Sequence, residues 1–332
     1  MDMRVRDPLR FALLNDWQRG FPLVAQPFAG IGATCGAGET EVIAQYRALL
    51  RDGAISRIGG VWSAGAGGAA LLCAFAVPAQ QLDAVAALVS AVPGVNHNYE
   101  REHRYNLWFV ITGRDAATVA RSVDALEAQA GCAALRLRMQ RAYRIDLGFD
   151  LRDELAACGP AAAQDCRPVA RADAPLAALL EGGLPLMPQP YDVWADTLRQ
   201  SRAQLLATLQ RWLCEGTLRR FGAIVRHQEA GFTHNAMTLF DVPDESVDLC
   251  GLRLAGQRGV TLAYRRERAT GWPYNLYCMV HGRDRTAVRA AIDEAIANCE
   301  LQAHAGAVLF SRRRFKQGGA SYFRAACKEA AT

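Results

Sequence analysis

The sequence predicts an α+β fold built by tandem duplication of one unit, in which a small helical module precedes a ferredoxin-like βαββαβ domain. Two observations carry this prediction. The two halves of the chain match each other in order, and each half changes from helical to strand periodicity at a corresponding point. The length agrees, because 332 residues with 51% apolar content can bury more than one core.

The duplication is visible when the halves are aligned. The offset between matching residues is 163 at first, and loop differences then raise it to 165 and 169. The matching segments, in that order of offset, are Gln26-Pro27-Phe28 with Gln189-Pro190-Tyr191, Tyr99 with Tyr264, and Gly113-Arg114-Asp115 with Gly282-Arg283-Asp284. Chance does not keep such pairs in order across half a chain, so we infer an internal repeat.

Hydrophobic periodicity places the elements of the first unit. Residues 39–50 put their apolar side chains on one helical face, and the pattern ends near Gly53, a common signal for the end of a helix. The elements expected after this helix are strands at 55–62 and 70–77, a helix at 80–90, strands at 96–100 and 105–111, a helix at 115–130 and a strand at 135–145.

The second unit repeats this order. Its expected strands lie at 235–242, 260–265, 274–280 and 307–315, and its expected helices at 245–257 and 284–298. Residues 150–183, between the units, are rich in Ala, Pro and Gly. That composition predicts a connector with about one helical turn.

Composition limits the cellular setting and the partners. No apolar run reaches the roughly 18 residues that a membrane span needs. Ten cysteines occur without a CxxC pair and no signal segment precedes them, so a reduced, cytoplasmic compartment is expected. The net charge of +5 permits an anionic partner but does not by itself indicate nucleic acid.

Residues 218–283 concentrate the side chains with the most chemistry. Three of the six histidines, His227, His234 and His281, lie here together with the basic run 264–268 and several aromatic residues. Imidazole, guanidinium and flat apolar surface suit a large planar polyanion, so this stretch is the predicted centre of function.

Five motifs carry a family resemblance. They are GFPL (20–23), QPFA (26–29), NHNYEREHRYNLWFV (96–110), RRFGAIVRHQEAGFTHNAM (219–237) and WPYNLYCMVHGR (272–283). With the predicted order of elements they resemble the siroheme decarboxylases, a branch of the Lrp/AsnC superfamily, with a D-type subunit fused ahead of an L-type subunit. The resemblance implies winged helix-turn-helix modules at 1–60 and 183–224, βαββαβ domains at 61–149 and 225–332, and a linker at 150–182.

The resemblance also implies an activity. Members of this family remove the acetate carboxyl groups of rings C and D of siroheme, which gives 12,18-didecarboxysiroheme on the way to haem or to the modified haem of nitrite reductases. The expected small-molecule partner is therefore siroheme. No separate cofactor is expected, because the macrocycle itself can accept electrons and its iron belongs to the substrate.

The chemistry assigns roles to residues within the motifs. Decarboxylation needs a cation to hold the carboxylate and an acid to protonate the carbon that remains, which suits arginine and histidine. We expect His227 and His281 in the second βαββαβ domain to be catalytic. The expected substrate-binding residues are Arg219, Arg220, Arg226, Tyr264, Arg265, Arg268, His97, His103 and Arg57. The iron of siroheme would be bound by His281, His227 or His103.

The first unit departs from this pattern. Thr112 stands where the second unit has His281, and a Gly/Ala loop at 62–68 replaces the segment that contains His227. One working site, in the second unit, is therefore predicted. His97 and His103 in the first unit either complete that site by face-to-face pairing of the domains or lie on an exposed polar strand.

Two other functions stay open at this point, a DNA-binding regulator of the Lrp/AsnC type and a non-catalytic tetrapyrrole sensor. The first-unit helix that would enter the major groove begins Glu39-Thr40-Glu41, which places carboxylates where phosphates would lie. The matching helix near 201–212 has Arg202 and Arg211 but no basic cluster. DNA is therefore not an expected partner. An intramolecular pseudo-dimer is expected, and a homodimer of the fused chain stays open.

Overall fold

The computed structural model describes residues 7–145, 148, 150–152, 166–226, 229 and 231–324. The first unit contains the helices α1 (Pro8–Asn15), α2 (Pro27–Cys35), α3 (Glu39–Arg51), α4 (Leu82–Ala91) and α5 (Ala116–Ala130), and the strands β1 (Ile55–Trp62), β2 (Ala69–Phe75), β3 (Val95–Arg101), β4 (Leu107–Gly113) and β5 (Leu135–Ile145).

The second unit repeats this order. It contains the helices α6 (Ala174–Gly182), α7 (Pro190–Leu198), α8 (Arg202–Cys214), α9 (Val247–Ala255) and α10 (Arg285–Asn298), and the strands β6 (Leu218–Val225), β7 (His234–Phe240), β8 (Val260–Arg266), β9 (Leu276–Gly282) and β10 (Gly306–Gln317). Local signals repeat as well: Asp115 and Asp284 cap α5 and α10 by accepting from the backbone N–H groups of Thr118 and Ala287.

Eight strands form one closed barrel in the order β10-β3-β4-β2-β5-β8-β9-β7. Each βαββαβ domain supplies four neighbouring strands, and the last strand of each domain pairs with the second strand of the other domain. Thus β5 pairs with β8 from Met139 opposite Arg266, and β10 pairs with β3 from Ser311 opposite Arg101. Closure leaves no open sheet edge. The predicted face-to-face pairing of the two βαββαβ domains is confirmed.

The helical modules of the two units also form one layer. β1 and β6 pair antiparallel, with Gly59 opposite Gly222. Glycine is needed at both positions because the helical segments approach closely: a Cβ on Gly59 would lie 2.8 Å from the carbonyl oxygen of Leu180, and one on Gly222 would collide with the backbone of Trp17. This close packing explains why glycine recurs at this position in both units.

One segment differs from its predicted role. The helix α6 lies within residues 150–182, where sequence composition indicated a linker with a single helical turn. Leu176, Ala177 and Leu180 on this helix are buried in the core of the helical layer. Part of the Ala-, Pro- and Gly-rich sequence that indicated a connector is therefore a packed helix with a buried apolar face. Within the described residues, no helix combines the length and apolar content of a membrane span.

Candidate active site

A row of polar side chains crosses the inner face of the barrel on five neighbouring strands. In strand order they are Thr261 on β8, His281 on β9, Asn235 on β7, Ser311 on β10 and Arg101 on β3. Strand alternation explains the direction of His281 and Asn235, because the residues two positions away, Met279 and Met237, belong to the apolar cluster that fills the barrel. The row therefore marks where the interior changes from apolar to polar.

Contacts link the row from strand to strand. The hydroxyl oxygen of Thr261 lies 2.8 Å from Nδ1 of His281, and His281 stands directly opposite Asn235. Ser311 donates a 2.7 Å hydrogen bond to Oδ1 of Asn235 and is itself opposite Arg101. His281, Asn235 and Arg101 are only 4%, 2% and 7% exposed. Two units thus contribute to one buried polar array.

Arg101 carries a buried positive charge. One of its Nη atoms donates to the carbonyl oxygen of Leu309 at 3.1 Å, the other lies 3.8 Å from the sulfur of Met279, and the guanidinium lies 5.8 Å from the Tyr99 ring centroid. In the part of the chain that the structure describes, Arg101 has no ion pair, and its Nε has no hydrogen-bond partner. Burial lowers its pKa to about 10. A buried cation without a carboxylate is costly, so this position is suited to an anion from outside the chain.

His97 and Tyr99 extend the polar surface along β3. Their rings stack with centroids 6.3 Å apart, and Nδ1 of His97 lies 2.8 Å from the side-chain oxygen of Asn96. Burial, with a smaller contribution from the charge of Arg101, lowers the pKa of His97 to about 4. His97 is therefore a neutral group near pH 7. It lies on a strand that pairs with β10 of the other unit, with His97 opposite Gln317.

The corresponding row in the other half of the barrel lacks this chemistry. By alignment and strand register its members are Asn96, Thr112, Ala70, Met139 and Arg266. Asn96 donates to Thr112 at 3.4 Å, but Ala70 and Met139 offer no hydrogen-bonding side chain. Arg266 is the partial exception, because it is buried, donates to the Leu137 carbonyl at 2.8 Å and lies 4.5 Å from the Tyr264 ring centroid. Of the two rows, only the first contains a histidine as a member.

The predicted residue His227 lies outside the described residues, whereas Arg226 and Glu229 are described. Arg226 follows β6 and its backbone N–H donates to the carbonyl of Ala54 at 2.9 Å. Glu229, two residues after His227, forms a 2.8 Å ion pair with Arg314 on β10, which is opposite Tyr99. These contacts place Arg226 beside the helical layer and Glu229 beside β10.

The predicted arginines of β1 and β6 lie in the helical layer. Arg220 is 4% exposed and one Nη donates to the carbonyls of Gln18 and Ala223 at 2.7 and 3.2 Å. Arg57 donates to the carbonyl of Gly60 at 3.1 Å, and burial lowers its pKa. Arg219 is half-buried on the same strand as Arg220. The backbone contacts of Arg220 and Arg57 give both residues a packing role.

Arg265 and Arg268 point to the outer side of the barrel. Arg265 pairs with Asp244 at 3.0 Å, and Arg268 pairs with Asp244 at 2.8 Å and with Asp241 at 2.9 Å. A surface pocket of about 540 Å³ lies beside Arg265, and its other lining residues are Arg138, Met139, Gln140, Arg141 and Asp248. Both predicted clamps therefore already have carboxylate partners. Neither of them joins the inner row.

Tyr264 and His103 lie at other points of the interior. Tyr264 is buried and stacks on Tyr277 with centroids 6.0 Å apart. His103 follows the far end of β3 and its Nδ1 accepts from the backbone N–H of Tyr105 at 3.1 Å. Its ring meets Trp272 edge-on at 5.3 Å, and burial lowers its pKa. His103 is thus fixed by aromatic packing.

Four members of the row, Thr261, Asn235, Ser311 and Arg101, were not among the predicted site residues. Each lies on a strand that contains other polar residues, and nothing in the local sequence distinguishes it from them. Strand alternation combined with the strand register would have found Asn235, Ser311 and Arg101, because the pairing of β7 with β9 and of β10 with β3 places them in line with His281. Thr261 joins them only through a register shift in β8.

Comparison with known proteins gives a consistent result. The AsnC-like ligand binding domain matches residues 66–144 and 229–316, and the siroheme decarboxylase NirDL-like HTH domain matches residues 11–55. The siroheme decarboxylase NirDL subunit of Paracoccus denitrificans is 41% identical over 319 residues, covering 95% of this chain and 97% of that protein. The siroheme decarboxylase of Hydrogenobacter thermophilus is 30% identical and covers 94% of both chains.

Solved structures agree with the sequence relatives. A crystal structure of the siroheme decarboxylase NirDL is 26% identical, covers 97% of this chain and 98% of that one, and has a TM-score of 0.66. A second, in complex with an iron-uroporphyrin III analogue, has a TM-score of 0.65 at the same identity and covers 98% of both chains. Family models, relatives and structures cover both units, and on this basis the chain belongs to the siroheme decarboxylase family.

Proposed function

We propose that this chain is a siroheme decarboxylase that removes the acetate carboxyl groups of rings C and D, giving 12,18-didecarboxysiroheme for haem synthesis. The observation that supports this most directly is the buried guanidinium of Arg101, which has no ion pair in the described chain and lies in one row with His281. A substrate ringed by carboxylates supplies the missing negative charge, and the histidine supplies a proton. Family membership agrees with both features.

Each decarboxylation breaks the bond between the acetate methylene carbon and its carboxylate. Carbon dioxide leaves, the electron pair stays on the methylene carbon, and one proton then converts that carbon to a methyl group. The conjugated macrocycle spreads the electron pair, so the proposal needs no separate organic cofactor. His281 is our candidate for the proton donor.

The contacts change which arginine we propose as the principal carboxylate clamp. Arg101 has an unused Nε inside the barrel, whereas Arg265 and Arg268 are balanced by aspartates on the outside. We therefore propose Arg101 ahead of both, because bidentate binding of a carboxylate requires donors that are not already paired. For the iron of siroheme we propose His227 ahead of His103, because Nδ1 of His103 already accepts a backbone N–H and His281 is our candidate for the proton donor.

A role in DNA binding is not supported by the helical layer. The helix α3 begins with two glutamates in its first turn. On the matching helix α8, Arg202 pairs with Asp192 and Arg211 pairs with Asp173, both at 2.9 Å. Phosphate binding would need these cations to be available. We expect no shift of duplex DNA at low salt, and a shift with a steep salt dependence would revive the regulator function.

We further propose that one fused chain supplies the complete site, in the cytoplasm, as an intramolecular pseudo-dimer. The eight cysteines in the described residues are free thiols, which suits a reducing compartment. A homodimer of the fused chain stays a prediction, and light scattering of the purified protein measures it directly.

Mass spectrometry of the tetrapyrrole after anaerobic incubation with the protein tests the activity. Loss of two molecules of carbon dioxide from siroheme is the expected result. Siroheme that binds, by its visible spectrum, but is recovered unchanged would overturn the enzyme and favour the sensor. Boiled protein is the control for spontaneous decarboxylation.

A further inference from the structure

The side chain that orients His281 comes from an irregularity in strand β8. The pairing of β8 with β9 shifts between Val260 and Leu262, so Thr261 is an extra residue in the ladder. Such a bulge re-aims the side chain of the extra residue. Here it brings the Thr261 hydroxyl to 3.2 Å from the carbonyl oxygen of Met279 and to 2.8 Å from Nδ1 of His281.

The first unit contains the same bulge. The pairing of β3 with β4 shifts between Val95 and His97, and the extra residue Asn96 bonds to Thr112, the residue that matches His281. The fold therefore directs the bulge side chain at this position of the neighbouring strand in both units. Only in the second unit does it meet an imidazole.

A proton count assigns the tautomer of His281. The carbonyl of Met279 can only accept, so the single hydroxyl proton of Thr261 satisfies it. With its proton directed to that carbonyl, the hydroxyl oxygen is left to accept from Nδ1 of His281, and we assign the imidazole proton to Nδ1 on this basis. In the neutral imidazole the lone pair is consequently on Nε2, and Nε2 is the nitrogen that gains and loses a proton.

We propose that Thr261 is a positioning residue, whose hydroxyl holds the Nδ1–H tautomer of His281 and so presents Nε2 as the nitrogen that handles the proton in decarboxylation. This inference rests on the proposed function only for its catalytic half, since the tautomer is a property of the protein alone. A second Thr–His contact provides a control: the Thr233 hydroxyl donates to the carbonyl of Arg283 and lies 3.0 Å from Nδ1 of His234, at the surface.

The first measurement is a long-range ¹⁵N–¹H spectrum of the histidines in the substrate-free protein, with the His281 signals assigned by their loss in His281→Gln. We expect the Nδ1–H pattern in the parent and in Thr261→Ser, which keeps the hydroxyl, and a shift toward the Nε2–H pattern in Thr261→Val. An unchanged pattern in Thr261→Val would overturn the proposal.

The second measurement is the rate of siroheme decarboxylation. Loss of one neutral hydrogen bond corresponds to about a tenfold effect, so kcat of Thr261→Val should fall about tenfold with little change in KM, and Thr261→Ser should recover most of it. Thr233→Val should behave as the parent. A changed tautomer with unchanged kcat would refute the positioning role. A parent protein that never decarboxylates siroheme would instead refute the proposed function and leave the tautomer result standing.

Discussion

Replacing Arg101 with methionine tests the contribution of its charge separately from that of its packing. Arg101→Met keeps the length and apolar body of the side chain but removes a buried cation that has no ion pair in the described chain. The lost contacts are one hydrogen bond to the Leu309 carbonyl, worth about 1.5–3 kcal/mol for a charged donor, and a long cation–π contact with Tyr99, worth about 0.5–1 kcal/mol. Removing the charge also removes a desolvation cost of several kcal/mol.

These opposing contributions are of similar size, so the substrate-free variant should unfold within about 1–2 kcal/mol of the parent, in either direction. Siroheme binding should respond differently. Loss of a charge-assisted hydrogen bond to a carboxylate costs about 1.5–3 kcal/mol, which raises Kd roughly 10- to 100-fold. The assays are urea denaturation of the substrate-free protein and anaerobic absorbance titration with siroheme.

Arg266→Met is the matched control for Arg101→Met. Arg266 occupies the equivalent position, is equally buried and donates to the equivalent strand of the other unit, but its row lacks the histidine. We expect a similar small change in stability and a smaller change in Kd. If Arg101→Met bound siroheme as tightly as the parent, or lost more than about 3 kcal/mol of stability, Arg101 would be a structural residue and the clamp assignment would fail.

Three further predictions concern single side chains. His281→Ala should stay folded and bind siroheme, while its turnover, measured by mass spectrometry, falls by about 10²- to 10⁴-fold. Thr112→Val, which changes the matching position of the first unit, should decarboxylate siroheme at the parental rate. Equal losses of turnover in both variants would argue for two sites. Burial lowers the pKa of His97 to about 4, so between about pH 6.5 and 4 the unfolded chain binds a proton that the folded chain does not. The free energy of unfolding should therefore fall as the pH falls through that window. Urea denaturation at several pH values should show a weaker fall in His97→Asn, and an identical fall in both proteins would exclude this contribution. Arg220→Gln should lower the free energy of unfolding by about 1.5–3 kcal/mol, because the charged donor to the carbonyls of Gln18 and Ala223 is removed. A loss of siroheme affinity without any loss of stability would restore the role of Arg220 as a carboxylate clamp.

Sequence periodicity was sufficient for the fold because the physical signals were local. Strand alternation in 55–62 and 135–145 gave β1 and β5 with their bounds, and Asp115 and Asp284 marked the starts of two helices. The helix α6 was not predicted because its Ala- and Leu-rich sequence lies next to prolines and glycines. Only its burial against the rest of the helical layer distinguishes it from a linker.

The candidate site was less predictable, because strand register decides which side chains face inward. Arg265 and Arg266 are neighbours in sequence, yet Arg265 pairs with aspartates outside the barrel and Arg266 lies over Tyr264 inside it. The arginine-rich sequence indicated a clamp but could not choose between the two faces. His281 was found through its motif, whereas the inward position of Thr261 depends on a β-bulge that the sequence does not predict.

The closure of the barrel explains why two units are needed for one site. Four members of the row belong to the second unit, but Arg101 comes from the first, and it reaches the row only because β10 crosses over to pair with β3. A second unit alone would expose the edge of β10 and lack the buried cation. Relatives such as the NirD and NirL subunits of Stutzerimonas stutzeri match 44% and 43% of this chain. Joining both units in one chain fixes their ratio at one to one, so each polar row is formed with its own arginine.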